Sequence, residues 1–135
     1  MIRLILLVIC ALMLEPLHAA TNEAPTTGLA SWYGESHRGK FMANGKKFDP
    51  DKLTAASWFY PLGTRIRVTL ASTTQEPQTN PPRSVVVTIT DRGPANRLVR
   101  EGRIIDLAEA AFAKLAPTRL GLIPIELSPA DDFPQ

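Results

Sequence analysis

The sequence predicts a mainly β protein, a small barrel with short helical crossovers, and three observations carry that expectation. Thr64 to Leu70 alternates Arg65, Arg67 and Thr69 with Ile66, Val68 and Leu70, the period of two that marks a strand buried on one face. Ser84 to Thr90 is a second β-branched run of strand length, stopped by the turn-forming residues Asp91-Arg92-Gly93-Pro94. One helical stripe stands out, Leu107, Ala110, Ala111 and Leu115, so helix serves as a connection between strands rather than as a layer.

In chain order, Met1 to Leu17 is apolar behind Arg3 and has no acid before Glu15. Its run from Leu4 to Leu14 has the length of a signal-peptide core and is shorter than the roughly 20 residues that span a bilayer. Leu17-His18-Ala19 and His18-Ala19-Ala20 both suit a signal peptidase, so residues 1–20 are expected to be a cleaved secretory signal. Cys10 follows the bulky Ile9, which does not suit lipoprotein processing, so the exported protein is expected in the periplasm or cell envelope without a lipid anchor. The mature chain then has no cysteine and is held by its core alone, which about 115 residues can supply as one domain. A formal charge of +2, with 15 Lys+Arg against 13 Asp+Glu, gives no basic surface for nucleic acid. No stable membrane span is expected, and a monomer is.

Thr21 to Thr27 is polar, contains Pro25 and reads as a flexible leader, with the domain running from Gly28 to Leu127. Leu29 to Tyr33 forms the first strand. Gly34 to Asp49 is a long polar loop in which Asn44-Gly45 marks a turn, and Asp51 to Ala56 is read as a turn of helix behind Pro50. Ala71 to Arg83 has three prolines and no apolar run, so it is a surface excursion. Ile104-Ile105 is a short strand, and a helix is expected from Asp106, with Asp106-x-x-Glu109 as its capping box and Pro117 as its stop. Leu122 to Leu127 is the last strand, and residues 128–135 form a tail.

The chemistry-bearing residues are few. With no cysteine and only His37 in the mature chain, no metal site is expected, and there is no Gly-rich phosphate loop. His37 reads as a surface histidine. Seven of the nine aromatic residues fall between Trp32 and Tyr60, where they serve either the core or the C–H faces of sugar rings. Asp91, Asp106 and Asp49 are the candidate acids, and each has a structural alternative: a turn cap, a helix N-cap and an Asx turn before Pro50. Periodicity does not separate these roles from catalysis.

The blocks Ala30-Ser31-Trp32-Tyr33-Gly34, Ala43-Asn44-Gly45, Phe48-Asp49, Leu53-Thr54-Ala55-Ala56, Pro61-Leu62-Gly63-Thr64, Ser84-Val85-Val86-Val87, Thr90-Asp91-Arg92-Gly93-Pro94 and Arg103-Ile104-Ile105-Asp106-Leu107 together resemble the RlpA-like (rare lipoprotein A) family. The resemblance runs from Gly28 to about Leu127 and implies a six-stranded double-psi β-barrel with short helical crossovers, the fold of expansins. It further implies a lytic transglycosylase acting on peptidoglycan glycan strands. Such an enzyme cuts the bond from N-acetylmuramic acid to N-acetylglucosamine without water and leaves a 1,6-anhydro end. Neither metal nor organic cofactor is needed.

Carried over by position, Asp91 matches the family's site aspartate, Asp106 an aspartate shared with expansins, and Asp49 the acid after Asn-Gly. Trp32, Tyr33, Asn44, Lys46 and Arg92 are the candidate substrate-binding residues. Two departures stand out: Lys46 where active members have glutamate, and Ser57 where they have histidine. Arg38 also replaces a histidine before Gly39, with His37 one place earlier. These departures motivate a rival expectation, a non-catalytic peptidoglycan-binding or expansin-like wall-loosening module, and a third, an envelope interaction protein. With eight residues after Leu127, septal recruitment through the family's SPOR domain is not expected.

Overall fold

The computed structural model describes residues 23–73 and 76–130. The signal segment, residues 1–20, and the end of the tail, 131–135, lie outside the described residues. Six strands close into a barrel: β1 (Thr27–Tyr33), β2 (Thr54–Ala56), β3 (Arg65–Leu70), β4 (Ser84–Asp91), β5 (Arg103–Ala108) and β6 (Ile123–Pro129). Their order around the barrel is β1-β5-β2-β4-β3-β6, so no strand is left with an unpaired edge. Pairs β1–β5 and β2–β4 run parallel and the other four antiparallel, and this mixed closure is the double-psi arrangement.

The alternation read in the sequence is what fills the barrel. Ile66, Val68 and Leu70 of β3, Val85, Val87 and Ile89 of β4, and Ile123, Ile125 and Leu127 of β6 all face the core. Two short helices complete it: α1 (Asn96–Arg100), which buries nothing, and α2 (Glu109–Ala113), which buries Ala111 and Phe112. Phe112, fully buried, meets Trp32 of β1 at 6.4 Å between ring centres.

Strands β1, β3, β4 and β6 stand where the sequence predicts them, with β1 starting at Thr27 and β6 running on to Pro129. Inside the expected leader, the Pro25 carbonyl accepts from the Tyr60 hydroxyl at 3.1 Å and the Thr26 carbonyl from the Leu127 N–H at 2.7 Å.

Two local expectations are corrected and one helix is added. Thr54–Ala56 is strand β2, not a turn of helix, because pairing with β4 on one side and β5 on the other overrides the helix preference of two alanines. Asp106 is not a helix cap. Strand β5 stays extended through Ala108, held by parallel pairing of Ser31, Trp32 and Tyr33 with Asp106, Leu107 and Ala108, and α2 begins three residues later with no side-chain cap. Helix α1 falls in a stretch with no Ser, Thr or Asp before it to announce a start.

Candidate active site

The site is built by strand register. Ala56 of β2 pairs with Asp91 of β4 on one side and with Asp106 of β5 on the other, and Asp106 pairs in turn with Ser31 of β1. Asp91, Ala56, Asp106 and Ser31 therefore form a row across four strands. Two strand spacings separate the acids, about 10 Å between their Cα atoms, and only a methyl group stands between them. The register slips by one residue at Thr90, a bulge that sets Asp91 opposite Ala56 while Thr90 is buried against Met42. Gly93 keeps the approach close, since a Cβ there would lie 3.3 Å from the Ala56 methyl and 3.4 Å from Asp106 Oδ2.

A groove of about 630 Å³ opens over this row, lined by Asp91, Asp106, Ser31, Trp32, Tyr33, His37, Arg92 and Arg103 among others. Asp91 is anchored through one oxygen: its Oδ1 accepts the N–H groups of Ala43 and Arg92, both at 2.8 Å. Asp106 is held differently. The Ser31 hydroxyl donates to its Oδ1, and burial pushes its carboxyl above the ordinary range, opposed by Ser31 and by the charges of Arg103 and His37.

Tyr33 stacks on Phe48 at 4.2 Å and meets the His37 ring edge-on at 5.6 Å. Its hydroxyl is buried with no hydrogen-bond partner among the described residues. Burial, then the negative charges of Asp91 and Asp106, hold the phenol far above its ordinary range, so it stays a neutral donor beside two acids. Trp32 also lines the groove and donates its indole N–H to the Thr118 carbonyl at 2.9 Å. Of the seven clustered aromatic residues these two line the groove, whereas Phe48 is buried and Phe59 and Tyr60 pack against the core.

Arg92 lines the groove, but its Nη1 donates to the carbonyls of Ser57 and Tyr60, at 2.8 and 2.7 Å, and braces the 57–60 loop. Ser57 is fully buried. Its hydroxyl donates to the Ile104 carbonyl at 3.0 Å and accepts the Phe59 N–H at 3.2 Å, so it serves packing, not the groove.

Asn44, Lys46 and Asp49 do not join Asp91 and Asp106; they line a second cavity. Asp49 Oδ1 accepts the Asp51 N–H at 3.0 Å, the Asx turn expected before Pro50, and takes Arg38 Nη1 at 3.1 Å. Arg38 also binds Asp51 and Glu35, and its hydrogen bond holds the Glu35 carboxyl below the ordinary range. His37, read in the sequence as a surface histidine, is exposed and also lines the groove. Its one signal was its place beside the position of the family's histidine. Among the described residues no group of three or more His, Cys, Asp or Glu is placed to hold a metal ion.

A closed six-stranded barrel with two carboxylates in one groove defines the class, a double-psi β-barrel. A sequence model of the family described as lytic transglycolase matches residues 25–127, and the chain belongs to that family. It is 43% identical over 93 residues to a probable endolytic peptidoglycan transglycosylase RlpA of Synechocystis sp., covering 69% of this chain and 25% of that protein. Over 88 residues it is 43% identical to the Yersinia pestis endolytic peptidoglycan transglycosylase RlpA, covering 65% of this chain and 21% of that protein. The chain thus spans about a quarter of the length of these relatives. Among solved structures it is similar to the apo expansin of Clavibacter michiganensis, with a TM-score of 0.55, 25% identity and coverage of 82% of this chain and 52% of that one. The Streptomyces papain inhibitor is similar too, with a TM-score of 0.52, 25% identity and coverage of 78% and 98%.

Proposed function

We propose that the protein is a peptidoglycan lytic transglycosylase that cuts the glycan between N-acetylmuramic acid and N-acetylglucosamine and leaves a 1,6-anhydro end. The observation that carries this reading is the Asp91–Ala56–Asp106 row, two carboxyls in one groove with only a methyl group between them. Support comes from the relatives, whose names state endolytic peptidoglycan transglycosylase activity.

Asp91 is the principal acid and base. Its carboxyl gives a proton to the bridging oxygen as the bond from that oxygen to C1 breaks, and the carboxylate so formed takes the proton of the muramoyl C6 hydroxyl as O6 closes on C1. No water enters and no proton is lost or gained. The backbone N–H groups of Ala43 and Arg92 fix Asp91 through one oxygen. Asp106, which burial disposes to keep a proton, assists from β5, across β2 from Asp91. Tyr33 and Trp32 form the aromatic side of the groove. Asp49, tied to Arg38 in the other cavity, takes no part in the chemistry. On this reading residues 1–20 are removed on export, and the enzyme works in the periplasm or cell envelope as a monomer with no lipid at Cys10 and no cofactor.

A second reading has a specific observation behind it. Neither Lys46 nor Ser57, at the two positions where active members carry an acid and a histidine, reaches the groove, which suits a module that binds glycan without cutting it. Digestion of peptide-free glycan strands, read by mass spectrometry, separates the two. Anhydro ends from the parent and not from Asp91→Asn support catalysis, whereas sacculus binding without anhydro ends supports the binding module.

A further inference from the structure

Strand β5 carries a second bulge, and it decides which residues of that strand face the groove. Leu29 of β1 pairs with Arg103 but Ala30 pairs with Ile105, so Ile104 is one residue extra. In an unbroken strand Arg103 and Asp106, three positions apart, point to opposite faces. The extra residue brings them to the same face. Ile104 and Ile105 are accordingly buried in succession, and Arg103 and Asp106 both line the groove. The bulge is held in place. Its Ile104 carbonyl accepts the Ser57 hydroxyl at 3.0 Å, and Arg92 braces the loop that starts at Ser57.

The half-buried Arg103 is therefore a permanent cation in the groove. It favours the charged form of Asp106 from a distance, and no hydrogen bond or ion pair ties its guanidinium to another described residue. Arg92 differs, since its Nη1 is spent on the Ser57 and Tyr60 carbonyls. A ligand in the groove thus meets, beside the acids, a guanidinium with its N–H donors open, the fork that fits a carboxylate with two parallel bonds. A glycan strand has one kind of ionisable group, the carboxyl of the lactyl ether on C3 of N-acetylmuramic acid. It is a free carboxylate where no peptide stem is attached and an uncharged amide where one is. When C1 of that sugar stands at the two acids, the lactyl arm leaves the same ring. Three residues of strand, from Asp106 back to Arg103, cover about 10 Å, which the ring, the lactyl arm and the arginine stem span together.

We infer that Arg103 is a specificity-determining residue, its guanidinium pairing with the free lactyl carboxylate of the N-acetylmuramic acid whose C1 bond is cut. The inference rests on the glycan reading above and adds to it the group on the sugar that is recognised and the residue that recognises it. Its test is titration calorimetry with Asp91→Asn, which leaves the strands uncut. One ligand is amidase-stripped glycan strands; the other is the same strands after carbodiimide coupling to ammonia, which turns each lactyl carboxylate into a neutral amide. The stripped strands are expected to bind about tenfold more tightly than the amidated ones, the scale of a hydrogen-bonded charge pair. Adding Arg103→Gln is expected to abolish that difference and to leave binding of the amidated strands unchanged, which also reports an intact groove. Equal binding of both strands to Asp91→Asn, or a difference that survives Arg103→Gln, overturns the inference and leaves the glycan reading standing. So does an equal loss on both strands with Arg103→Gln, which assigns Arg103 to an electrostatic role on Asp106 instead. Absence of binding to either strand removes both.

Discussion

Asp91 and Asp106 are the same residue type in one row, one on each side of Ala56, and their surroundings give them different work. Asp91 is fastened by two backbone N–H groups at 2.8 Å, so its orientation survives replacement by asparagine, which accepts the same bonds. Asp91→Asn is therefore expected to fold as the parent does and to lose about 100-fold or more in release of anhydro ends, the scale of a positioned acid/base group. Asp106 is an acid raised by folding, so the native state holds its proton more tightly than the unfolded chain. Its share of stability is full below the unfolded value of 3.8 and is lost as pH rises through the higher folded value. Asp106→Asn removes the ionisation and keeps an acceptor for Ser31, so its melting temperature should exceed the parent's at neutral pH, with the gap closing towards acid. Melts across that range check this, and a gap that does not change with pH would contradict it. The acids themselves were legible from the order of the sequence blocks. That Asp49 stands apart was not, because the Arg38 cluster that holds it joins residues of a loop without periodicity.

At the scale of elements, legibility followed the length and alternation of each strand. Strands β3, β4 and β6 have six to eight residues and a buried face that repeats every second position. Strand β2 has three residues and depends wholly on neighbours remote in sequence. Asp106-x-x-Glu109 has the form of a capping box, but pairing with β1 held the chain extended past it. The same packing constrains Ser57, the position at which the family resemblance implies histidine. Ser57 is fully buried between β2 and the Ile104 carbonyl, so Ser57→His overfills the site and is expected to cost about 1–3 kcal/mol in urea unfolding. Ser57→Ala should cost about 1 kcal/mol through its two hydrogen bonds. Equal stability of Ser57→His and the parent would mean that the 57–60 loop yields. Helix α2 matters through one side chain, and Phe112→Ala is expected to cost about 3–5 kcal/mol.

For the whole molecule, closure of the barrel is what turns separate local signals into a site. The row crosses four strands that lie far apart in the chain, at residues 31, 56, 91 and 106, and no single stretch of sequence shows it. Closure also builds two cavities of different lining, one with Asp91, Asp106, Arg92 and Arg103 and the other with Lys46, Lys47, Lys52 and Asp49. The lysine at 46 therefore changes what stands beside the groove more than it changes the acids within it. The most direct test is mass spectrometry of the products formed from purified glycan strands by the protein and by Asp91→Asn. Release of 1,6-anhydro ends by the parent and their loss in Asp91→Asn is the expected result. No anhydro ends from the parent, or equal release by both, would contradict it.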